Sequence, residues 1–261
     1  MLASSHIPAD DQLPHLPVVA SEHAMAKLFA THLAPGWRLV RCRIKEARYY
    51  PGHTCLLAYH LKLRGADGAE SVLPLHGRAF GVETVPAAFC SRPPLDTPVG
   101  RLPSFLPRLG LALWTFPEDP GIPGLADVWR HGGALFDEPG VLQHAPWTRR
   151  RPRLETVLVS YVPAKRCILR YERLDHASPE PFYGKVYGAP EACLLYEQMQ
   201  ALWEYAAAGA PELVLARPLG CDRRRNALWQ SAPGGEPLLQ ALDSEDLPAV
   251  LRRVATALAA L

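Results

Sequence analysis

The chain has 261 residues, of which 21% are charged, and its formal net charge at neutral pH is only +2. That length can bury the cores of two modest domains, whereas the small net charge provides no general attraction to nucleic acid or to an anionic membrane. The sequence has no long apolar stretch, and its N-terminus lacks the basic start and apolar segment of a secretory signal. We therefore expect a cytoplasmic protein with neither nucleic-acid nor membrane partners.

The six cysteines are scattered along the chain, without a Cys-x-x-Cys motif or a histidine pair at the spacing of zinc ligands. A metal site is therefore not expected. Cys55 and Cys167 fall within apolar segments, where a free thiol behaves as a small hydrophobic side chain. This use of cysteine indicates a reducing compartment.

An internal repeat with an interval of about 112 residues is the most informative feature of the sequence. Segment 49–59, YYPGHTCLLAY, is echoed by segment 161–171, YVPAKRCILRY, with Tyr, Pro, Cys, Leu and Tyr in register. Two shorter matches follow in the same order: GRAFG at 77–81 with GKVYG at 184–188, and ALW at 112–114 with ALW at 227–229. The order of these matches predicts the duplication of a strand-rich unit.

The first copy is predicted to begin with an amphipathic helix and to continue with strands. Ser21 is a suitable N-cap, apolar residues follow at helical spacing, and a Pro-Gly pair ends the helix. An antiparallel meander is predicted with strands over 37–50, 55–63 and 71–80. Prolines concentrate in 86–107 and 117–123, so we expect irregular connections there.

The second copy repeats the three strands and adds a helix. Its elements are predicted as strands over 154–162, 167–174 and 181–187, a helix over 191–208, strands over 213–218 and 226–231, and a helix over 247–261. The turn Pro163–Arg166 joins the first two strands, and Asp243 or Ser244 caps the last helix. The second copy therefore follows the order β-β-β-α-β-β, a five-stranded sheet with one helix.

Two charged residues of the second copy suggest a chemical role. Lys185 lies in its third strand, and Glu197 follows twelve residues later in the helix. A lysine on a strand can reach the phosphates of a nucleotide, while a helix glutamate can hold the ammonium group by ion pairing. Taken alone, each residue is better explained as a solvated surface charge, and only the whole pattern favours the chemical role. The order of strand, lysine, helix and glutamate is the arrangement of a kinase ATP-binding lobe.

Residues 154–240 resemble the N-terminal, ATP-binding lobe of the aminoglycoside phosphotransferase and choline kinase group of kinase-like small-molecule phosphotransferases. The matching segments are the first hairpin at 159–171, the lysine strand at 183–187, the glutamate helix at 196–202, and the next two strands and hinge at 216–220 and 227–234. The resemblance implies that ATP is the ligand. It also implies that the adenine base hydrogen-bonds the backbone around Gln230, Ser231 and Ala232.

The sequence departs from this family pattern in two ways. The hairpin turn has no glycine, so we expect Lys165 or Arg166 to replace the backbone amides that hold phosphate in a glycine-rich loop. No H-x-D-x-x-x-x-N catalytic loop and no metal-binding Asp motif precedes Leu261. We therefore expect no catalytic residues in this chain and Mg²⁺ only with a catalytic lobe. A partner chain that supplies this lobe, or a second copy of the chain, is the expected partner. A small-molecule hydroxyl acceptor is expected only in the assembled enzyme, and its identity stays open.

The first copy reads as a degenerate version of the same lobe, because Arg78 stands at the position of Lys185 and the proline-rich stretch leaves no helix for a glutamate. The expected fold is α+β, with two tandem kinase N-lobe-like antiparallel sheet units, the second carrying a helix packed on a five-stranded sheet. The expected domains are an N-terminal α+β domain over 1–148, the ATP-binding domain over 149–236, and a terminal helix over 237–261 that leads toward a missing catalytic lobe.

Two functions stay open at this point. The chain is either the nucleotide-binding lobe of a kinase-like phosphotransferase or a non-catalytic protein-interaction scaffold derived from a duplicated lobe, so its status as an enzyme is undecided. Nucleotide affinity separates these hypotheses, since Lys185→Ala abolishes it only under the first. The basic run at 149–153 favours a solvated linker over a phosphate-binding patch.

Overall fold

The computed structural model describes residues 9–81, 95–144, 153–174, 181–209, 215–232 and 247–259. The chain divides into two compact units, which we name unit 1 (residues 1–126) and unit 2 (residues 127–261). Each unit combines helices with a five-stranded antiparallel sheet, so the predicted α+β class is confirmed. The predicted boundary at 148 differs from this division, because residues 127–144 fold with unit 2. Within the described residues, no helix has the length and apolar character needed to cross a membrane.

Unit 1 forms a meander that is extended by two short strands. Its elements are α1 (Leu16–Val19), α2 (Glu22–Thr31), β1 (Arg38–Tyr50), β2 (Thr54–Arg64), β3 (Glu70–Phe80), β4 (Leu95–Thr97), β5 (Gly100–Leu102), β6 (Ser104–Leu106), a 3₁₀ helix (Pro107–Leu109) and β7 (Leu111–Trp114). The main sheet has the order β1-β2-β3-β7-β6, and β4 and β5 form a separate hairpin. The predicted cap of α2 is confirmed, because the Ser21 hydroxyl accepts a hydrogen bond from the Ala24 amide.

The proline-rich stretch of unit 1 is more regular than the sequence indicated. Residues 82–94 lie outside the described residues, but β4, β5 and β6 occupy 95–106. Pro98, Pro103 and Pro107 each follow directly after one of these strands. Because proline cannot donate to a ladder, the prolines limit each strand to three residues without preventing the pairing. The second proline-rich stretch, 117–123, contains no helix or strand, as predicted.

Unit 2 has the predicted order β-β-β-α-β-β. Its elements are α3 (Leu125–His131, which carries the chain in from unit 1), a 3₁₀ helix (Gly132–Asp137), β8 (Leu154–Val162), β9 (Arg166–Arg173), β10 (Phe182–Tyr187), α4 (Ala192–Gly209), β11 (Pro218–Asp222), β12 (Ala227–Ser231) and α5 (Leu247–Ala259). The sheet has the order β8-β9-β10-β12-β11, with all pairs antiparallel. The caps predicted for the last helix, Asp243 and Ser244, lie outside the described residues.

Strand β11 spans Pro218–Asp222, and residues 215–217 are not part of a strand, so the predicted range 213–218 is wrong, although residues 213 and 214 lie outside the described residues. The position of the strand is set by the tight turn between Asp222 and Ala227, which are paired in the ladder. The Asp222 carboxylate accepts hydrogen bonds from the amides of Arg224 and Arg225 and thereby shapes this turn. A strand that is paired through so short a turn must lie directly beside it.

Strand register, and not only strand order, is shared by the two sheets. Arg78 on β3 pairs with Leu56, and Lys185 on β10 pairs with Ile168, the residue that matches Leu56 in the repeat. The third sequence match is displaced by one residue, however, since Trp229 opposes Gly184, whereas Trp114 opposes His76. A shift of one residue turns a side chain to the other face of a sheet. Leu113, which opposes Gly77, is therefore the structural counterpart of Trp229.

Each sheet buries its inner face, which carries Tyr59 in unit 1 and Tyr171 in unit 2. A phenylalanine from the helical segment before the first strand packs edge-on against each tyrosine, with ring centroids 5.5 Å apart for Phe29 and 5.1 Å apart for Phe136. The two units therefore share this aromatic contact although Phe29 lies in an α-helix and Phe136 in a 3₁₀ helix. The sequence repeat did not predict it, because the two segments have only the aromatic ring in common.

Unit 2 holds its leading segment to the sheet through Arg225 as well. This guanidinium is only 3% exposed and donates hydrogen bonds to Asp222 and Glu138, both at 2.6 Å, and to Asp127. A buried arginine requires such partners, since an unpaired charge in the interior is costly. The cluster fixes residues 127–138 beside the turn between β11 and β12.

The last strand of each sheet is entered through a residue with a left-handed backbone, Gly110 in unit 1 and Asn226 in unit 2, at φ 53° and 50°. In both units the carbonyl of this residue accepts a hydrogen bond from the end of the third strand, from Phe80 at 2.8 Å and from Tyr187 at 3.0 Å. The Asn226 side chain adds a link that glycine cannot provide, because its Oδ1 accepts from the Ala192 amide at 3.1 Å. Asn226 thus fixes the start of α4.

Candidate functional site

Lys185 projects from the outer face of the unit 2 sheet, which we define as the face opposite Tyr171. It pairs with Ile168 on β9 and with Leu228 on β12. The side chain is about half-buried, and this burial lowers its pKa, with a further lowering from the positive charge of Arg166. In the part of the chain that the structure describes, no carboxylate lies within ion-pair distance of the Lys185 ammonium. Lys185 is therefore a cation held beside another cation.

The turn between β8 and β9 brings the second positive charge to the same face. Arg166 opposes Tyr187 in the ladder, and residues two apart on a strand share a face, so Arg166 and Lys185 stand on one side of the sheet. The Lys165 carbonyl accepts a hydrogen bond from the Gly188 amide at 2.8 Å, which ties the turn to the end of β10. The side chains of Lys165 and Arg166 are exposed. The structure thus brings these three predicted residues to one end of the sheet.

Glu197 does not join them. Helix α4 packs on the sheet through Leu195, Tyr196 and Met199, which contact the outer face at Tyr187. A helix turns by about 100° per residue, so Glu197 points away from the face that carries Tyr196 and Met199 and is exposed. Among the described residues, the expected ion pair with Lys185 is therefore absent. The apolar stripe of the helix sets this orientation.

The predicted hinge residues occupy the end of β12 with different roles. Gln230 opposes Tyr183, so its side chain shares the outer face with Lys185. It is 8% exposed, and its Oε1 is buried without a hydrogen-bond partner in the described residues. An unpartnered buried polar atom is costly, and a ligand that pairs with it relieves this cost.

Ser231 is already engaged within the protein. Its amide donates to the Arg217 carbonyl at 2.9 Å, and its hydroxyl accepts from the Arg217 amide at 2.8 Å. The Ser231 amide is therefore not free to bind an adenine base, contrary to the expectation from the sequence. Ala232 is half-buried, and the residues after it, 233–246, lie outside the described residues.

Unit 1 treats the equivalent cation in a different way. The Arg78 Nε donates to the Thr54 hydroxyl at 3.1 Å, and its guanidinium lies over the Phe80 ring at 5.0 Å from the centroid. Thr54 stands at the position of Arg166 in the repeat. Burial lowers the pKa of Arg78, while the nearby charge of Asp119 opposes this change. The outer face of unit 1 therefore satisfies its cation internally.

The outer face of unit 2 combines two cations with one unpaired acceptor. Lys185 and Arg166 supply positive charge, and the amide oxygen of Gln230 is an acceptor that pairs with a hydrogen-bond donor. The neighbouring Arg170 is neutralised by Glu172, since its Nη2 lies 2.6 Å from the Glu172 Oε1. Among the residues that the structure describes, no group of three His, Cys, Asp or Glu side chains has a metal-binding arrangement.

Sequence reasoning identified Lys185 and Arg166 but assigned Gln230 through its backbone, whereas in the structure the buried side-chain oxygen of Gln230 is the atom that lacks a hydrogen-bond partner among the described residues. It placed Asn226 at the start of the strand 226–231, whereas Asn226 is the left-handed residue immediately before β12. An asparagine immediately before a strand is a recognisable signal for a left-handed residue and could have been used. No known protein family matches this chain, and no curated protein and no solved structure matches it either.

Proposed function

We propose that unit 2 is a nucleotide-binding lobe, of the kind found in the aminoglycoside phosphotransferase group of small-molecule phosphotransferases, and that it binds ATP on the outer face of its sheet. One observation carries the proposal. Lys185 is half-buried beside Arg166 without a carboxylate partner among the described residues. Two close cations on a partly desolvated surface repel one another, and a bound polyphosphate turns this repulsion into attraction.

Each residue has a distinct task in this proposal. Lys185 binds a phosphate as a compact charge from the rigid centre of the sheet, and Arg166 offers a planar fork that can hold two phosphate oxygens. Gln230 accepts a hydrogen bond from the exocyclic amine of the base. Since the Ser231 amide is engaged with Arg217, base recognition relies on this side chain and not on the Ser231 backbone.

Phosphoryl transfer requires more than this face contains. A general base positions the acceptor hydroxyl, and Mg²⁺ bridges the phosphates in enzymes of this kind. We assign the base, the metal ligands and the hydroxyl acceptor site to a catalytic lobe that associates with unit 2. The contribution of the described residues is nucleotide binding.

Thermal unfolding with and without ATP tests the proposal, because a ligand that binds only the folded state raises its stability, by about 2.7 kcal/mol at a hundred times the dissociation constant. We expect ATP to stabilise the wild type, with and without Mg²⁺, and Lys185→Met to lose most of this effect. The matched control is Lys27→Met, which removes an exposed lysine of unit 1 and leaves the ATP effect intact. Equal stabilisation of wild type and Lys185→Met, or none in either, would contradict the proposal.

A protein-interaction scaffold is the second candidate, and one surface favours it. Leu194 and Tyr205 are 58% and 59% exposed on the side of α4 that faces away from the sheet. They lie three helical turns apart, and Leu202 is exposed beside them. If a second copy of the chain covers this stripe, sedimentation will show a dimer that Tyr205→Lys dissociates. Under this function the ATP effect is absent in every variant.

A further inference from the structure

Two reduced cysteines meet where α4 packs against β11. Cys193 lies in the first turn of α4 and Cys221 in β11, and their sulfur atoms are 2.7 Å apart. Both side chains are partly exposed, whereas the other described cysteines, Cys42, Cys55 and Cys167, are buried. The nucleotide-binding proposal does not use this pair.

Small reagents can reach the pair. A cavity of about 290 Å³ borders Cys221 and is lined by residues 138–141 and 221–225 of unit 2. Its charged lining is largely paired, because Arg224 lies 3.4 Å from Glu138 and Arg225 is bonded to Glu138 and Asp222. The cavity opens beside Cys221, and the partial exposure of both cysteines lets the disulfide group of a small reagent approach the pair.

We propose that Cys193 and Cys221 form a reversible disulfide by exchange with a low-molecular-weight disulfide such as oxidised glutathione. One protein thiolate attacks a sulfur of the reagent and expels one reagent thiol, which leaves a mixed disulfide on the protein. The second cysteine then attacks the protein sulfur of that mixed disulfide and expels the other reagent thiol. The protein loses two thiol hydrogens and two electrons, and the reagent gains both as two thiols.

The surroundings set the speed of the first step. Burial, followed by the hydrogen bond with Cys193, raises the pKa of Cys221 to about 12. Only the thiolate attacks a disulfide, so the hydrogen-bonded thiol pair begins the exchange slowly at neutral pH. The short distance between the sulfurs makes the second step intramolecular, which compensates for the weak acidity of Cys221.

The bond has a defined structural effect. It closes a loop between residues 28 positions apart and joins the first turn of α4 to β11. This turn is already linked to the β11–β12 connection through Asn226 and Ala192. Oxidation therefore fixes the helix more firmly on the sheet and restricts the unfolded chain.

The test uses the purified full-length chain equilibrated with oxidised glutathione, alkylated, digested and analysed by mass spectrometry. We expect a linked pair of peptides that contain Cys193 and Cys221, which dithiothreitol releases. The unfolding temperature should rise by on the order of 5–10 °C on oxidation. Cys193→Ser and Cys221→Ser should lose the rise in unfolding temperature. In each variant the remaining cysteine of the pair should carry a glutathione. Cys42→Ala, which alters a buried cysteine outside the pair, should retain the rise.

The peptide map decides the matter even where a variant folds poorly, because it is made on the wild type. If both cysteines are recovered in alkylated form after equilibration with oxidised glutathione, or if either is linked to a different cysteine, the proposed pairing is wrong. Retention of the full temperature rise in Cys193→Ser would equally exclude it. None of these outcomes depends on ATP binding, so the inference stands or fails separately from the proposed function.

Discussion

The two sheets of this protein have the same strand order and register but use one equivalent position in opposite ways. In unit 1, Arg78 is hydrogen-bonded to Thr54 and stacked on Phe80. In unit 2, Lys185 stands half-buried beside Arg166 without an acidic partner among the described residues. The repeat has therefore preserved the fold of both copies while leaving an unsatisfied charge in one of them, and unsatisfied charge is what a binding site requires.

The inner faces explain why the fold persisted. Gly77 and Gly184 lie against the rings of Tyr59 and Tyr171, where an added Cβ would come within 2.9 Å of a ring carbon. These contacts are internal to each sheet and leave little freedom for change. The segment after the third strand diverged instead: in unit 2 it is α4, which packs on the outer face at Tyr187, whereas in unit 1 the β4–β5 hairpin adds Val99 and Leu102 to the inner-face core.

The largest expected difference between the two sheets is a response to acid. His76 in unit 1 has its pKa lowered to about 4, by burial first and by the charge of His60 second, whereas its counterpart in unit 2 is Tyr183. The folded state binds this proton less readily than the unfolded state. The free energy of unfolding is therefore undiminished by His76 above about pH 6.5 and falls by up to about 3 kcal/mol as the pH approaches 4. His76→Tyr, which copies unit 2, should remove most of this loss in urea unfolding across that range.

His53→Tyr provides the matched control, because His53 is exposed in the turn between β1 and β2. The control should lose stability in acid as the wild type does. If the wild type and His76→Tyr lose equal stability between these pH values, His76 is not the group responsible. The difference between the two variants in the stability that they lose on acidification separates the contribution of His76 from that of the carboxylates that titrate in the same pH range.

Local patterns in the sequence determined much of this fold. The strands β1, β2, β3, β8, β9 and β10 and the helices α2 and α4 follow apolar periodicity and turn residues, and these were predicted close to their observed bounds. The short strands β4, β5 and β6 were not predicted. Their pairing depends on partner strands that the local pattern does not identify, and the neighbouring prolines indicated an irregular connection. The one-residue displacement of Trp114 from Trp229 was also invisible, since only the ladder fixes register.

The candidate site was predictable in part. Lys185 and Arg166 were identified from the repeat, because matching strands place matching residues on one face. Glu197 was misjudged, since its distance in sequence from Lys185 was considered without the helix face on which it lies. The spacing of Leu195, Tyr196 and Met199 already marked the buried face and could have placed Glu197 on the other side.

The next largest effect tests whether the inner faces are truly equivalent. Gly184→Ala would bring a methyl group within 2.8 Å of Trp229 Nε1, and Gly77→Ala would bring one within 2.9 Å of a Tyr59 ring carbon. We expect each substitution to lower the free energy of unfolding by about 2 kcal/mol, because overpacking displaces well-packed rings. Urea unfolding measures both, and Ser71→Ala at the exposed start of β3 is the control, with little effect. A cost in only one sheet would break the equivalence.

A smaller effect is expected where the units differ in one side chain at the same backbone position. Asn226→Gly copies Gly110 and keeps the left-handed backbone, but it removes the hydrogen bonds to Ala192 and Tyr187. We expect it to lower stability by about 1 kcal/mol and to increase hydrogen exchange in the first turn of α4. Asn226→Ala should cost about 1 kcal/mol more, since alanine is strained at positive φ. Equal costs for the two variants would show that the backbone conformation is unimportant there.

The smallest expected effect concerns Lys185 and Arg78, whose replacement should change stability in opposite directions. Lys185→Met removes a charge that has no acidic partner among the described residues and that is repelled by Arg166. We therefore expect it to raise the free energy of unfolding of the ligand-free protein by about 0.5 kcal/mol. The gain is modest because solvent screens the half-exposed ammonium. Arg78→Met removes the hydrogen bond to Thr54 and the stacking on Phe80, so it should lower stability by a similar amount. The gain at Lys185 should shrink in high salt, because salt weakens the repulsion that it relieves. If Lys185→Met instead destabilises the protein as Arg78→Met does, the lysine has an internal partner, and the contrast between the two sheets disappears together with the case for a binding site.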